Sequence, residues 1–416
     1  MNERITSEWA RLRAVWGSGP LFLLIGTMVL MPLVPSAAVL CAYAGFFWLA
    51  AKNKFGWFLP TLWRTPYPYL MVFGLLHIIG LAWTSNLGFG LFDLQIKLPL
   101  LVLPLLAGFC GAHVRTGRDL LAFVFSLSGA LMVLVCTVAS VWRIATGSDL
   151  SPAQEVFSSY WSLLLHPSYF ALYLSLAIAA WCLLPIHTWV PRSWSVGVLA
   201  LLNLGVVLSA SKIGWLLLTP LLVTLVVLVR RNAFVRRTLL GMMAFAAAGV
   251  AVLVMASPYA RDRVQEMFRA SSEQKHDPNA TTSSAVRWLT WGTAWELFKV
   301  QPWSGTGTGD IKDELVAVYN AKGYTGAAER RLNAHNQYLQ SAACLGVLAL
   351  AALLAMVLVP LAAGRARDPL FTLFVLLVAL NWLVESMLEV QAGAVFFAVF
   401  AVLLLWKDEA PHLRAS

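Results

Sequence analysis

The chain has 416 residues, of which 59% are hydrophobic and only 12% are charged, against about 25% charged residues in soluble domains. This composition excludes an ordinary soluble domain. The net charge of +10 does not indicate nucleic-acid binding, because the basic residues lie in short loops beside apolar runs, which is the orientation signal of membrane proteins.

Apolar runs of about 17–25 residues, the length that crosses a bilayer core, recur along the chain. We count about twelve such runs and expect helices, because lipid offers no partner for free backbone groups. A transmembrane β-barrel would instead show alternating segments of about 10 residues. The predicted fold is therefore an all-α polytopic membrane protein. The predicted spans are 20–34, 36–51, 67–84, 95–111, 120–142, 167–187, 194–210, 213–229, 238–256, 338–362, 369–387 and 391–406.

The basic residues also predict orientation. If the N-terminus is cytoplasmic, the short inner loops hold more than half of the 30 Lys and Arg residues, whereas the short outer loops hold only Lys97, Arg143 and Lys212. Both termini are then cytoplasmic, and the first span is retained rather than cleaved. We divide the chain into residues 1–256 with the first nine spans, a long outer loop at 257–337, and residues 338–416 with the last three. The outer side is the periplasm of a Gram-negative cell, although the charge count leaves a Gram-positive source open.

The long outer loop is expected to contain short helices. Residues 284–300 are predicted to form one, because Trp288, Trp291, Trp295 and Phe298 recur on one helical face. Such a face suits a helix at the membrane interface. The polar run at 271–284 is predicted to be mobile. The glycines of "QPWSGTGTGD" (301–310) are interpreted as a tight backbone path rather than a phosphate loop, since no strand precedes them.

His335 lies where the outer loop meets the tenth span. We predict that Asn333 is the N-cap of that helix, which places His335 in its first turn. There the helix dipole and the neighbouring Arg330 and Arg331 favour the neutral imidazole, the form that acts as a general base. The alternative is an interfacial histidine that only caps the helix or forms a structural hydrogen bond.

Five cations on the outer side are candidates for binding phosphate groups. Arg287 opens the Trp-rich helix, Arg261 and Arg263 precede it, and Lys212 and Lys97 lie in short loops. A cation between apolar spans needs a partner, and Asp93 is a candidate partner for Lys97. The alternatives are contacts of the arginines with water or anionic lipid headgroups, and snorkelling of the lysines to the interface.

Two further titratable groups lie on the outer side. His166 precedes Pro167, which suits a helix start, and it is either part of a site or structural. Glu385 and Glu389 share a face if the helix continues through them, and they can pair with loop arginines or form a catalytic carboxylate pair. The histidines lack the spacing of metal ligands, so we predict no metal site and no cofactor.

Six segments together resemble the O-antigen ligase and polymerase family, also called the Wzy_C superfamily. The resemblance covers mainly the second half of the chain. The segments are "HPSYFALYL" (166–174), "LSASK" (208–212), Arg287-Trp288, "PWSGTGTGD" (302–310), "AHNQYL" (334–339) followed by Gly346, and "ESMLEVQAG" (385–393).

The resemblance implies a metal-independent, GT-C-like membrane glycosyltransferase with its active site on the periplasmic side of the inner membrane. Its donor would be a glycan on undecaprenyl pyrophosphate, and its acceptor a sugar hydroxyl of the lipid A–core oligosaccharide. His335 and Arg287 match the family's essential histidine and arginine. Lys212 occupies a position where members often have arginine. It keeps the positive charge but lacks the planar guanidinium group, which can form two parallel hydrogen bonds to a phosphate.

The predicted reaction is a single displacement that inverts the anomeric centre, with His335 as general base and Arg287 at the leaving group. Residues expected to bind the donor pyrophosphate are Lys212, Arg261, Arg263 and Lys97, and those expected to support the site are Asn336, Tyr338, His166 and Glu385.

Three alternatives stay open. Within the superfamily these are an O-antigen polymerase and a protein O-oligosaccharyltransferase; the "HPSYFALYL" segment, the single long loop and the length favour a ligase. A lipid-linked oligosaccharide flippase, from another class, would need charge near the middle of the membrane, whereas almost all the charges here lie outside the spans. Besides the donor, the acceptor and membrane lipid, we expect no nucleic-acid partner, and we expect a monomer.

Overall fold

The regular structure of the chain is helical. The computed structural model describes residues 3–55, 67–110, 113–158, 160–268, 278, 283–362 and 367–405, and these contain no strand. Of the run predicted to be mobile, residues 271–277 and 279–282 lie outside the described residues. The helices are α1 (Glu3–Trp16), α2 (Ser18–Leu30), α3 (Pro35–Lys52), α4 (Tyr67–Ile79), α5 (Leu87–Lys97), α6 (Pro99–Cys110), α7 (Arg118–Ala145), α8 (Pro167–Leu183), α9 (Arg192–Leu208), α10 (Lys212–Leu228), α11 (Ala233–Ala256), α12 (Pro258–Phe268), α13 (Ser283–Val300), α14 (Ile311–Ala321), α15 (Gln337–Ala362), α16 (Pro369–Asn381) and α17 (Gln391–Leu405). Shorter turns of helix lie at His113–Thr116, Pro152–Val156, Thr325–Glu329, Gly80–Trp83, Pro185–Thr188 and Met387–Glu389.

Among the described residues, five helical segments are long and apolar enough to cross a membrane, or six if the bent pair α1 and α2 counts as one span. Six further apolar helices have only 10–17 residues, which is short of the roughly 20 that cross a bilayer directly. Each predicted span overlaps one of these apolar segments. The structure thus confirms a helical membrane protein, and the count of twelve spans stays a prediction. The five long segments are Pro35–Lys52, Leu87–Cys110, Arg118–Ala145, Ala233–Val252 and Gln337–Ala362.

α8 forms the middle of the helical bundle. Every residue from Ser168 to Cys182 is buried, as expected for a helix that is apolar on all sides. It is packed by α7, α9, α10 and α16, and Tyr173 stacks on Phe396 of α17 with ring centroids 4.4 Å apart. Because α8 is held on all sides, its first turn provides a rigid support at one end of the bundle.

α15 is broken in the middle by the glycine-rich loop at 302–310. Leu345 and Gly346 leave the helical conformation, with φ of −135° and 71°. The backbone N–H groups of Thr306 and Gly307 donate to the carbonyls of Ala343 and Cys344 that the break exposes, at 3.0 and 2.9 Å. These bonds satisfy backbone groups that would otherwise be unpaired among apolar helices. The loop follows the tight backbone path predicted from its glycines.

We expect Gly346→Ala to destabilise the protein. The backbone of Gly346 has φ 71° and ψ −162°, a conformation that glycine adopts without strain. Any other residue there would destabilise the folded state by about 1–3 kcal/mol. A β-carbon there would also lie 2.3 Å from the carbonyl oxygen of Trp303. Thermal unfolding in detergent should show a clear drop in melting temperature. Gly292→Ala is the control, because its β-carbon meets nothing within 4 Å; an equal drop there would contradict the explanation.

Candidate active site

Glu385 lies at the centre of a polar cluster at the end of the bundle where α8 and α15 begin. Its Oε1 accepts hydrogen bonds from Arg287 Nη2 of α13 at 2.8 Å and from Ser168 Oγ of α8 at 3.0 Å. Its Oε2 lies 3.5 Å from His335 Nδ1. The Glu385 side chain is only 3% exposed. One buried carboxylate therefore joins four segments that are far apart in the chain.

His335 lies just before α15 rather than within its first turn. Its φ is 47°, and its backbone N–H donates to Asn333 Oδ1 at 3.0 Å. The N-cap is Asn336, whose Oδ1 accepts from Leu339 N at 3.0 Å. The prediction of Asn333 as the cap was therefore wrong, because the left-handed backbone at His335 prevents the helix from starting earlier.

The neighbours of the His335 ring decide which nitrogen carries the proton. A carboxylate only accepts hydrogen bonds, so the contact with Glu385 assigns the proton to Nδ1 and leaves the lone pair on Nε2. Within the described residues Nε2 has no hydrogen-bond partner. The side chain is 28% exposed, and its main-chain carbonyl is held by Trp291 Nε1 at 3.3 Å. The ring is thus oriented to accept a proton at Nε2.

Arg287 is held on one side of its guanidinium group. Nε donates to the Val384 carbonyl at 3.0 Å and Nη2 donates to Glu385. Nη1 makes no hydrogen bond to any part of the chain that the structure describes, and the side chain is 19% exposed. The group keeps N–H donors for a further anion. Its helix, α13, extends as predicted, with Trp288 and Trp295 exposed.

A family model described as O-antigen ligase (Wzy_C) matches residues 196–354. The chain carries an O-antigen ligase family region. This match confirms the resemblance that the motifs indicated. The region includes Lys212, Arg287 and His335, whereas Glu385 and Ser168 come from outside it. No curated protein matched the chain.

Glu385 stays ionised in spite of its burial. It lies in the connection between α16 and α17, outside the apolar helices. Burial raises the pKa of this carboxyl, but the hydrogen bond with His335 and the charges of Arg287 and His166 outweigh burial, and the net result is a pKa of about 2. The cluster around the family region's histidine and arginine therefore contains a permanent negative charge.

We expect the charge of Glu385 to stabilise the fold above about pH 4.5. The pKa falls from an ordinary 4.5 to about 2, which corresponds to about 3 kcal/mol. This contribution is present above pH 4.5 and is lost as the pH falls towards 2. Glu385→Gln should therefore unfold at a lower temperature than the parent at pH 7, with the difference shrinking between pH 4.5 and 2. Glu296→Gln, which removes an exposed ion pair, is the control; an unchanged difference at acid pH would contradict the assignment.

His166, predicted to support the site, lies close enough to the charged groups of the cluster for them to change its pKa. The residue as a whole is exposed to solvent. Enclosure by the surrounding chain lowers its pKa most, Glu385 opposes this, and His335 and Arg287 lower it further. These contributions place His166 within electrostatic reach of Glu385, His335 and Arg287.

Lys97 does not lie where a donor pyrophosphate could reach it, which corrects that prediction. Its ammonium is fully buried and bonds to Asp93 Oδ1 at 2.6 Å and to Glu389 Oε2 at 3.0 Å. The predicted pairing with Asp93 is confirmed. Two carboxylates already neutralise this cation, so its role is to hold the turn that carries Glu389.

Glu389 belongs to a second network, which sequence reasoning missed. Its Oε1 accepts from Gln337 Nε2 at 3.1 Å, and Gln337 Oε1 accepts from Leu388 N at 2.7 Å. α16 ends at Asn381, so Glu385 and Glu389 do not share a helical face. The four-residue spacing in the sequence identified Glu385 and Glu389 as candidate site residues, but it did not predict that each carboxylate has different partners.

Asn336 and Tyr338 support the site through the backbone of the chain that carries Glu385. Asn336 Nδ2 donates to the Leu383 carbonyl at 3.0 Å, and its backbone N–H donates to Ser386 Oγ at 3.1 Å. Tyr338 Oη donates to the Ala379 carbonyl at 3.0 Å. These bonds fix Glu385 relative to His335.

The remaining predicted cations differ in position. Lys212 begins α10, whose first turn lies against α8: a β-carbon at Gly214 would be 2.5 Å from that of Ala171, one turn beyond Ser168. Arg261 is exposed on α12, and within the described residues its one side-chain hydrogen bond is to the Val254 carbonyl, at 3.4 Å. Arg263 also lies in α12, and its side chain is outside the described part. Of these three cations, Lys212 is the one on a helix turn that the described residues show packed against α8, close to Ser168.

Proposed function

We propose that this protein is a membrane glycosyltransferase of lipopolysaccharide biosynthesis. It would transfer an O-antigen glycan from undecaprenyl pyrophosphate to a hydroxyl of the lipid A–core oligosaccharide, on the periplasmic side of the inner membrane. The observation that carries the proposal is the single carboxylate of Glu385 that contacts both His335 and Arg287. This arrangement pairs an oriented base with an anion-binding group in one partly enclosed place.

The reaction is one displacement. His335 Nε2 takes the proton from the acceptor hydroxyl, and the freed oxygen attacks the anomeric carbon of the donor. The bond from that carbon to the pyrophosphate oxygen breaks, and the electron pair leaves with the pyrophosphate. The anomeric centre is inverted, with no covalent glycosyl-enzyme. General-base help of this kind contributes about 10²–10⁴-fold.

Arg287 and Lys212 would stabilise the charge that develops on the pyrophosphate. The open N–H donors of Arg287 suit a phosphate oxygen, and Lys212 lies in the first turn of α10 beside the cluster. The N-termini of α8, α10 and α15 begin at this end of the bundle, and their dipoles favour negative charge there. Fixed cations are most effective where water is excluded.

Glu385 would act on the reaction through His335. Its contact with Nδ1 keeps the tautomer in which Nε2 is free, and its negative charge stabilises the imidazolium that forms. Arg287 pairs with the same carboxylate, so its positive charge balances the buried negative charge of Glu385.

Transfer by the purified protein tests the proposal. The protein in lipid nanodiscs is given a defined glycan on undecaprenyl pyrophosphate together with lipid A–core. We expect the glycan on the core with inverted anomeric configuration by NMR. Retained configuration would refute the single displacement. Extension of a second lipid-linked glycan in place of the core would instead identify a polymerase, which shares the superfamily.

A further inference from the structure

A group of five exposed arginines lies at the end of the bundle opposite the candidate active site. α10 begins at Lys212 against the first turns of α8 and ends at Leu228, about 25 Å further along its axis. The arginines lie at that far end, in the connection to α11, in the first turns of α11 and at the start of α9. They form what we call the arginine surface, which consists of Arg192, Arg230, Arg231, Arg236 and Arg237.

Helix packing brings Arg192 of α9 to the start of α11. Its guanidinium carbon lies 5.4 Å from the centre of the Phe234 ring, which is a cation–π distance. Asn232 Nδ2 lies 3.2 Å from His187 Nε2, so the turn that follows α8 adjoins the same place. The arginine surface is therefore assembled by the tertiary structure from segments about 40 residues apart.

The arginine surface is not neutralised by the chain around it. Residues 156–261 contain neither Asp nor Glu, and none of the five side chains forms an ion pair with a residue that the structure describes. The start of α1 reaches this end of the bundle, because Arg4 Nη1 donates to Thr188 Oγ1 at 2.7 Å. Of the two acids on α1, Glu3 and Glu8, the second is already in an ion pair within the helix. Five like charges repel one another, so a bound anion would stabilise this end of the protein.

Exposed apolar side chains continue directly from the arginine surface. Val227 and Leu228 are exposed at the end of α10, Leu240 is exposed two turns into α11, and Trp194 is exposed on α9. In a membrane these side chains contact lipid chains, and tryptophan favours the boundary between lipid and water. An anion that reaches the arginines at this level would therefore be the headgroup of a lipid rather than a free phosphate.

We infer that the arginine surface binds the headgroup of an anionic phospholipid, on the side of the membrane opposite the candidate active site. Guanidinium groups form paired hydrogen bonds with phosphate oxygens, and basic pockets between membrane helices bind phospholipid headgroups. The charge bias that orients a membrane protein needs only basic residues in the loops, not their grouping across two helices. The inference does not rest on the proposed function, because the length of α10 separates this surface from His335 and Arg287.

A headgroup bound here would hold the start of α11, the long helix that the rest of the protein covers least. Only 17% of the apolar stretch of α11 is buried, against 39–61% for the other four long segments in the described part of the chain. A phosphate that bonds both to Arg192 and to the arginines of α11 would join α9 to α11. Because such a lipid binds the folded protein, it should raise the melting temperature.

Native mass spectrometry of the purified protein tests the inference without requiring glycan transfer. The probes are a phosphatidylglycerol and a phosphatidylcholine with the same acyl chains, so that they differ in headgroup charge. We expect the phosphatidylglycerol to bind roughly tenfold or more tightly, since each arginine near a charged membrane surface contributes about fivefold, and to raise the melting temperature more. Equal binding of the two lipids would overturn the inference. Displacement of the phosphatidylglycerol by free inorganic pyrophosphate at constant ionic strength would also overturn it, because the surface would then bind soluble anions.

A pair of double variants supplies the control. Arg236→Gln with Arg237→Gln should weaken phosphatidylglycerol binding by roughly 25-fold, at about fivefold for each arginine. Lys52→Gln with Lys54→Gln removes the same charge at the other end of α1, where Lys52 Nζ donates to the Val15 carbonyl at 3.2 Å, and should leave binding unchanged. An equal loss in both double variants would contradict the inference, because net charge alone would explain it. The comparison of the two lipids on the parent protein decides the matter if the arginine variant does not fold.

Discussion

His335→Ala is expected to lower kcat for glycan transfer by roughly 10²–10⁴-fold, the contribution of a positioned general base. The KM for the lipid-linked donor should change little, because the ring contacts the acceptor hydroxyl rather than the pyrophosphate. Rates are measured under donor saturation with the purified protein, and donor binding is measured separately. Transfer at the parental rate by the variant would contradict the assignment of His335 as the general base, whereas a flippase would show no glycan transfer with either protein.

Two other histidines serve as comparisons for this variant. His187 lies at the opposite end of α8, where its ring bonds to the Leu184 carbonyl and to Asn232, and His187→Ala should retain full activity. His166 lies near the cluster, and His166→Ala should show a smaller loss than His335→Ala. If the loss were larger at His166, the general base would have to be reassigned.

Arg287→Met is expected to lower kcat by roughly 10²–10³-fold, the cost of losing one donor that stabilises developing negative charge. Arg287→Lys should recover only part of the rate. A lysine keeps the charge, but its compact ammonium lacks the planar fork that reaches Val384, Glu385 and a phosphate oxygen from separate nitrogen atoms. The measurement is single-turnover transfer, which separates the chemical step from product release.

The matched control removes a positive charge elsewhere on the same helix. Lys299 is exposed in the last turn of α13, and Lys299→Met should transfer glycan at the parental rate. Because Arg287→Met also leaves Glu385 without its ion pair, folding is checked by thermal unfolding. An Arg287→Lys variant that is folded and fully active would show that the fork of the guanidinium group has no part in the reaction.

Sequence alone predicted several features that depend on local spacing. The apolar runs, the aromatic face of α13 and the contact of Asp93 with Lys97 follow from helical periodicity, which the chain carries in short stretches. His335 and Arg287 were also predicted as candidate site residues, because titratable or charged residues beside apolar spans can be identified from the sequence without knowledge of the fold. These predictions rest on residues that are neighbours in the chain.

The tertiary structure decided how these residues are used. Glu385 contacts Arg287 98 residues earlier and His335 50 residues earlier, and Lys97 pairs with Glu389 292 residues later. The break in α15 exists because the glycine loop supplies the missing donors, and the left-handed backbone of His335 delays the start of that helix. Each of these outcomes depends on a polar group finding a distant partner inside an apolar bundle, where an unpaired group is costly. Periodicity identifies which groups need a partner, and only the packed fold determines which partner each one has.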